Sequence, residues 1–266
     1  MTTGIELSVG RTRSCLGPHP IRHNGESSAS RAGRQHRFVE VTMEDVFMQA
    51  PMFTALEPDA AAALRASLTE QSLTKGGILF AEGEPGDRLY VILEGKITLG
   101  HTSVDGRESL LAVLGPGEMF GELSLFDPGP RASTATALTD AVIAGLGNEQ
   151  LRPWLTGRPE LASALLQGLA RRLRRTNEAM ADLVFSDVPG RVAKALMDLG
   201  EKFGEITPEG LLVTHDMTQE EIAQLVGASR ETVNKALADF TQRGWIRLES
   251  RQVMVLDVER LGRRAR

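Results

Sequence analysis

Two helix-opening signals stand close together near the C-terminal end of the chain, and they constrain its fold more than any other feature. Thr218-Gln-Glu-Glu221 is a capping box: the threonine oxygen serves orphan backbone amides, and Glu221 reaches back to the amide of Thr218. The helix that follows offers Ile222, Leu225 and Val226 as an inner face, with small Ala223 allowing a second helix to approach closely. Gly227 falls where a tight turn between crossed helices needs positive φ. Ser229 caps a second helix whose buried face would be Val233, Ala236, Leu237 and Phe240. These signals predict a helix-turn-helix.

The face left to solvent has the chemistry to read DNA. Arg230 can donate twice to guanine, Glu231 can accept from cytosine, and Asn234 and Lys235 lie beside them. Thr218, Ser229 and Thr232 are short hydroxyls at helix starts, suited to phosphate oxygens, and Glu220 borders the same end. From Arg230 to Arg266 nine basic residues face five acidic ones, a local excess of four in a chain whose net charge is −5. That asymmetry fits a DNA-facing segment, although a solvated helix with a basic tail would give the same count.

Upstream the pattern changes. Short β-prone runs at 76–80, 89–93, 96–99 and 109–114 alternate with the turn signals Glu84-Pro-Gly-Asp87, Glu94-Gly95, Asp105-Gly106 and Gly115-Pro-Gly117. Close spacing of this kind predicts an antiparallel sandwich or barrel, with a jelly roll as the leading form. Residues 150–186 read as one long helix. Leu166, Leu169, Leu173, Thr176, Met180 and Leu183 make a narrow a/d seam on it, which predicts a parallel homodimer. Arg171, Arg172, Arg174 and Arg175 fall off that stripe and are expected to be solvated. Val188-Pro189-Gly190 is expected to break the helix, a helix over 191–203 to follow, then a short strand or turn near Leu211–His215. A β wing is expected at 245–248 and 253–256. The fold class is therefore α+β in four parts: a disordered extension over 1–42, a jelly-roll domain over 43–150, a dimerisation helix and hinge over 151–187, and a winged helix-turn-helix over 188–266.

Between strands, Phe120-Gly-Glu-Leu-Ser-Leu125 and Arg131-Ala-Ser133 form a polar-studded turn. Gly121 permits close backbone approach, and the amides opening a short helix here are expected to hold an anion. Arg131 offers a fixed fork for a phosphate, and Glu122 an acceptor for a ribose hydroxyl. An edge loop with a surface Glu–Arg pair is the alternative at this point.

Together these segments resemble the cyclic-AMP receptor protein family of bacterial regulators, within the larger group that includes the fumarate–nitrate regulators. The cassette just described, Ala170-Arg-Arg-Leu-Arg-Arg-Thr-Asn-Glu178 and Val226-Gly-Ala-Ser-Arg-Glu-Thr-Val233 carry the likeness, which spans roughly 45–260 and has the wording of actinobacterial members. The resemblance implies that Gly121, Glu122, Leu123, Ser124, Arg131, Ala132 and Ser133 hold the sugar and cyclic phosphate of cyclic AMP, with Thr176 and Asn177 on the adenine. It implies a homodimer binding a palindromic double-stranded operator, with the turn at 203–210 touching RNA polymerase, and the single cysteine points to a reduced, cytoplasmic home. Asn234-Lys235 stands where the best-known members have glycine-arginine, and lysine is a point charge rather than a fork.

Other classes are excluded or disfavoured. The single cysteine, Cys15, excludes an all-cysteine cluster, and nothing marks His101 or His215 as a haem ligand. Cys15, His19, His23 and His36 receive no metal role. There is no nucleophile–histidine pairing, metal-ligand spacing or P-loop, so no enzyme is expected. No apolar run reaches the length of a membrane span and no secretory signal is evident. A regulator that binds DNA without a ligand remains the alternative function.

Overall fold

The computed structural model describes residues 46–47 and 50–266. The readings made for residues 1–42 and their cysteine and histidines lie outside these. Two short helices, α1 (Pro51–Thr54) and α2 (Pro58–Arg65), precede eight strands: β1 (Thr69–Leu73), β2 (Ile78–Phe80), β3 (Arg88–Glu94), β4 (Ile97–Thr102), β5 (Glu108–Leu114), β6 (Met119–Phe120), β7 (Thr134–Ala137) and β8 (Ala141–Gly147). A one-turn helix, α3 (Leu123–Phe126), sits between β6 and β7.

The strands form two antiparallel four-stranded sheets ordered β1-β8-β3-β6 and β2-β7-β4-β5. The long crossings between sheets are those of a jelly roll. Tyr90 and Ile92 on β3 face inward with Phe80, Ile97, Phe120 and Ile143. Leu89, Val91 and Leu93 face outward, where Phe53, Leu64, Leu161 and Leu165 cover them. Both faces of β3 are therefore buried, which explains its unbroken apolar run.

The stretch read as one helix is two: α4 (Asn148–Gly157) and α5 (Pro159–Phe185). Arg158 has φ −141 and ψ 89, because a residue before proline is pushed out of the helical region. On α5 the buried residues are Leu161, Ala164 and Leu165. Leu166, Leu173, Met180 and Leu183, four members of the expected seam, are exposed in the single chain.

Val188-Pro189-Gly190 does not separate two helices from outside; it opens the next one, α6 (Val188–Phe203). Asp187 is the N-cap, accepting from Gly190 N at 2.9 Å, and Pro189 sits in the first turn, where a fixed φ and a missing N–H cost nothing. The link between the two helices is the extended pair Ser186 and Asp187. Next come β9 (Gly204–Thr207), β10 (Gly210–Thr214), α7 (Gln219–Val226), α8 (Arg230–Gln242), β11 (Ile246–Glu249), β12 (Gln252–Val255) and α9 (Val258–Arg264). The segment 203–210, expected as a surface turn, contains strand β9, paired with β10 from Gly204 to Thr207. The wing strands lie where the sequence places them.

The winged unit rests on the roll. Lys96 Nζ donates to Asp216 Oδ2 and to the Thr214 carbonyl, both at 2.5 Å, and lies 4.5 Å from the centre of the Phe203 ring.

Candidate functional site

Gly121 opens the cassette with φ +79, and a Cβ there would stand 2.8 Å from Arg131 Nη1 and 3.1 Å from the Arg88 carbonyl. Only glycine lets the Arg131 guanidinium pass so close to the chain. Arg131 is buried and donates through Nη1 to Arg88 O at 2.9 Å and Gly121 O at 3.1 Å. Its guanidinium carbon lies 4.2 Å from the centre of the Phe80 ring and 5.7 Å from that of Tyr90. Asp87 approaches Arg131 at 3.7 Å, and its bond to Arg88 holds the Asp87 carboxyl below the usual range. Burial pushes the Tyr90 phenol up.

Glu122 is also buried. Its Oε1 accepts from Arg172 Nη1 at 2.6 Å, and the same guanidinium donates through Nη2 to the Met119 carbonyl at 2.8 Å. Two polar atoms in this cassette have no hydrogen-bond partner: the Glu122 Oε2 acceptor and the Arg131 Nε donor. Such orphans are costly when buried, and their chemistry suits a group carrying both hydroxyl donors and an anionic acceptor. Gly121, Leu123, Ser124, Ala132 and Ser133 line one small cleft with Arg131 and Arg172. Ser124 spends its hydroxyl on Gly121 O at 3.2 Å. Thr176 and Asn177 are exposed further along α5, and the Thr176 hydroxyl bonds back to Arg172 O at 3.1 Å.

Arg172 is the residue that sequence reasoning missed. Expected to be solvated, it is half-buried and joins α5 to the cassette. The available signal was its spacing from buried Leu161 and Leu165, which puts all three on one face of α5.

At the second site the local chemistry matches its signals. Thr218 Oγ1 accepts from Glu221 N at 3.2 Å, and Thr218 N donates to Glu221 Oε2 at 2.6 Å. Gly227 caps α7 with φ 64. Ser229 Oγ accepts from Thr232 N at 3.3 Å and touches Thr232 Oγ1 at 2.9 Å. Arg230, Glu231, Lys235 and Glu220 are exposed. Glu231 and Lys235 pair with each other at 2.7 Å, so in free protein they neutralise one another. Asn234 differs from the rest, because its Oδ1 is buried without a partner and only part of its carboxamide faces out. Arg191 binds this turn to the hinge, donating to Ser186 O at 2.7 Å, Val226 O at 2.8 Å and Gly227 O at 3.3 Å.

His101 pairs with Glu82 at 2.8 Å, and His215 Nδ1 accepts from Met217 N at 3.0 Å.

Comparison with known proteins assigns a domain to each of the two regions. Residues 70–156 match the cyclic nucleotide-binding domain, and residues 190–264 match the Crp-like helix-turn-helix domain. The chain is 57% identical over 224 residues to a CRP-like cAMP-activated global transcriptional regulator of Mycobacterium tuberculosis, covering 84% of this chain and all of that one. The chain belongs to the CRP family. A cyclic AMP receptor protein of Thermus thermophilus is 34% identical over 198 residues, covering 74% of this chain and 88% of the other. Among solved structures, a CRP-family transcriptional regulator from Thermus thermophilus superposes with a TM-score of 0.63 at 30% identity, over 73% of this chain and 96% of that one. As a CRP-family chain this is a transcription regulator rather than an enzyme, with a cyclic-nucleotide-binding roll and a DNA-binding winged unit. Among the described residues no helix is long and apolar enough to cross a membrane.

Proposed function

We propose that this chain is a cytoplasmic, homodimeric regulator that binds cyclic AMP in the cassette and a palindromic operator through two α8 helices. The observation that carries the effector reading is the pair of orphaned, buried atoms in the cassette, Glu122 Oε2 and Arg131 Nε. A ribose hydroxyl satisfies the first and a cyclic phosphate the second, with the Arg131 fork already placed by Gly121, Phe80 and Tyr90. Gly121, Leu123, Ser124, Ala132 and Ser133 shape the cleft. Thr176 and Asn177 serve the adenine, from one protomer or its partner: Thr176 continues the α5 face that Arg172 begins, and Asn177 turns toward the other side of the helix.

The exposed heptad of Leu166, Leu173 and Met180 supports the dimer. A twofold pair of α8 helices would enter successive major grooves about 34 Å apart. Arg230, Glu231 and Lys235 read bases, with Asn234 in a lesser part. Thr218, Ser229, Thr232 and Glu220 border the phosphates. The β9 hairpin, with Ile206 fully exposed, is the surface offered to RNA polymerase. Arg172 gives the effector a route to α5: a nucleotide competing for Glu122 changes the hold of the cassette on the helix. To act as a switch it must bind the DNA-competent arrangement more tightly than the other.

The test is calorimetry of the whole chain with cyclic AMP, repeated with Arg131→Ala, beside operator binding with and without the nucleotide. Binding heat that vanishes in the variant is expected. No heat with the parent protein would sink the effector reading and leave the DNA reading standing.

A further inference from the structure

The turn Gly115-Pro116-Gly117-Glu118 connects β5 to β6 and touches both the winged unit and α5. On one side it carries the winged unit. Lys202 of α6 donates to Val113 O at 2.9 Å and to Glu118 Oε1 and Oε2 at 2.9 and 3.0 Å. Phe203 lies close against Gly115, where a Cβ would stand 2.5 Å from its Cε1. On the other side stands α5, with Arg175 Nη1 4.0 Å from Glu118 Oε1. Arg172, one helical turn earlier on α5, holds the next carbonyl, Met119 O. Four residues beyond Glu118 lies Glu122. The Glu118 carboxylate is itself fixed, since Oε2 accepts from Gly115 N at 2.9 Å.

One carboxylate oxygen thus faces two cations. Lys202 belongs to the DNA-binding unit and is bonded; Arg175 belongs to α5 and stands just outside bonding distance. We propose that Glu118 is the coupling residue of this regulator, a positioning carboxylate that exchanges Lys202 for Arg175 when the cassette is filled. This rests on the cyclic-nucleotide reading above and deepens it. A ribose hydroxyl on Glu122 Oε2 shares that carboxylate with Arg172 and loosens its hold on α5, and a shift of about 1 Å, the scale of helix movements in such transitions, brings Arg175 into bonding range. Lys202 then loses its partner and α6 loses one of its holds on the roll. The exchange supplies what transmission requires, a discrete element whose two arrangements both sites bias.

The experiment measures operator affinity of the full chain with and without cyclic AMP for the parent, E118Q, K202M and the double variant. E118Q keeps the shape and removes the charge. It should raise nucleotide-free DNA affinity and cut the enhancement by cyclic AMP about fivefold or more. Linkage requires that K202M, which spares the Arg175–Glu118 contact, bind cyclic AMP at least as tightly as the parent. K202M removes the Lys202 side alone and leaves Glu118 to Arg175, so it should raise nucleotide-free DNA affinity at least as far as E118Q, and adding E118Q to it should raise that affinity no further. A merely structural role would weaken DNA binding rather than strengthen it. The proposal is overturned by unchanged or weaker nucleotide-free DNA binding in K202M, by weaker cyclic AMP binding in K202M, or by additive single effects. A parent protein whose DNA binding ignores cyclic AMP would remove the effector reading and this one with it.

Discussion

Arg172 Nη1 stands 2.6 Å from Glu122 Oε1, and this ion pair ties the long helix to a carboxylate whose side chain is only 7% exposed. Removing the arginine leaves that carboxylate with little solvent and no cation. Arg172→Met is therefore expected to lower the unfolding free energy by about 1–3 kcal/mol, at the lower end because Arg172 itself is partly in water. Urea unfolding compared with Glu122→Gln/Arg172→Met, which removes both charges, checks it: the double variant should recover much of the loss.

Gly121→Ala tests the space that admits Arg131. The added methyl meets Nη1 at 2.8 Å and the residue must hold φ +79. A cost of about 1–2 kcal/mol in folding is expected, together with weaker cyclic AMP binding than Arg131→Lys shows. Lysine keeps the charge and loses the fork, so Arg131→Lys should bind roughly 10–100-fold more weakly in calorimetry.

His215 gives the winged unit a pH dependence. It is buried, and burial lowers its pKa from 6.5, so the folded state favours neutral imidazole, whose Nδ1 accepts from Met217 N. The unfolded chain takes up the proton first as pH falls. Stability is thus present above about pH 6.5 and lost on acidification through the lower folded value. His215→Asn keeps an acceptor and removes the titration. Its urea midpoint should change less than the parent's between about pH 7 and 5.

Arg230 is the exposed first residue of α8, unpaired with the Glu231–Lys235 couple beside it. Arg230→Ala should cost about 1–3 kcal/mol on the correct operator and relax preference at one base position, read by binding to single-base operator variants. Equal weakening on every sequence would mark a phosphate contact instead.

The helix-turn-helix was legible almost residue by residue because its determinants are local. The Thr218–Glu221 box, Gly227 and the Val233–Phe240 face all act within a few positions. The roll was legible in kind but not in full. Thr69–Leu73 is polar and mostly exposed, and Thr-Ala-Thr-Ala on β7 has no large apolar side chain to mark a period. The break at Arg158-Pro159 was written in the sequence, yet the apolar spacing on both sides hid it. Arg172 escaped because its partner lies fifty positions away: its place on the face of Leu161 and Leu165 marked it as facing the roll, but not which carboxylate it would meet.

Helix α5 also has the geometry of a mechanical arm. Arg172 lies thirteen residues before its end at Phe185, which at the helical rise is about 20 Å. A tilt of roughly 10° about the ion pair carries that end about 3.4 Å, the rise of one base-pair step. Arg191 fastens the helix-turn-helix to the Ser186 carbonyl just beyond that end. Any tilt of α5 about the Arg172–Glu122 ion pair would thus be magnified along its length before it reached the helix-turn-helix.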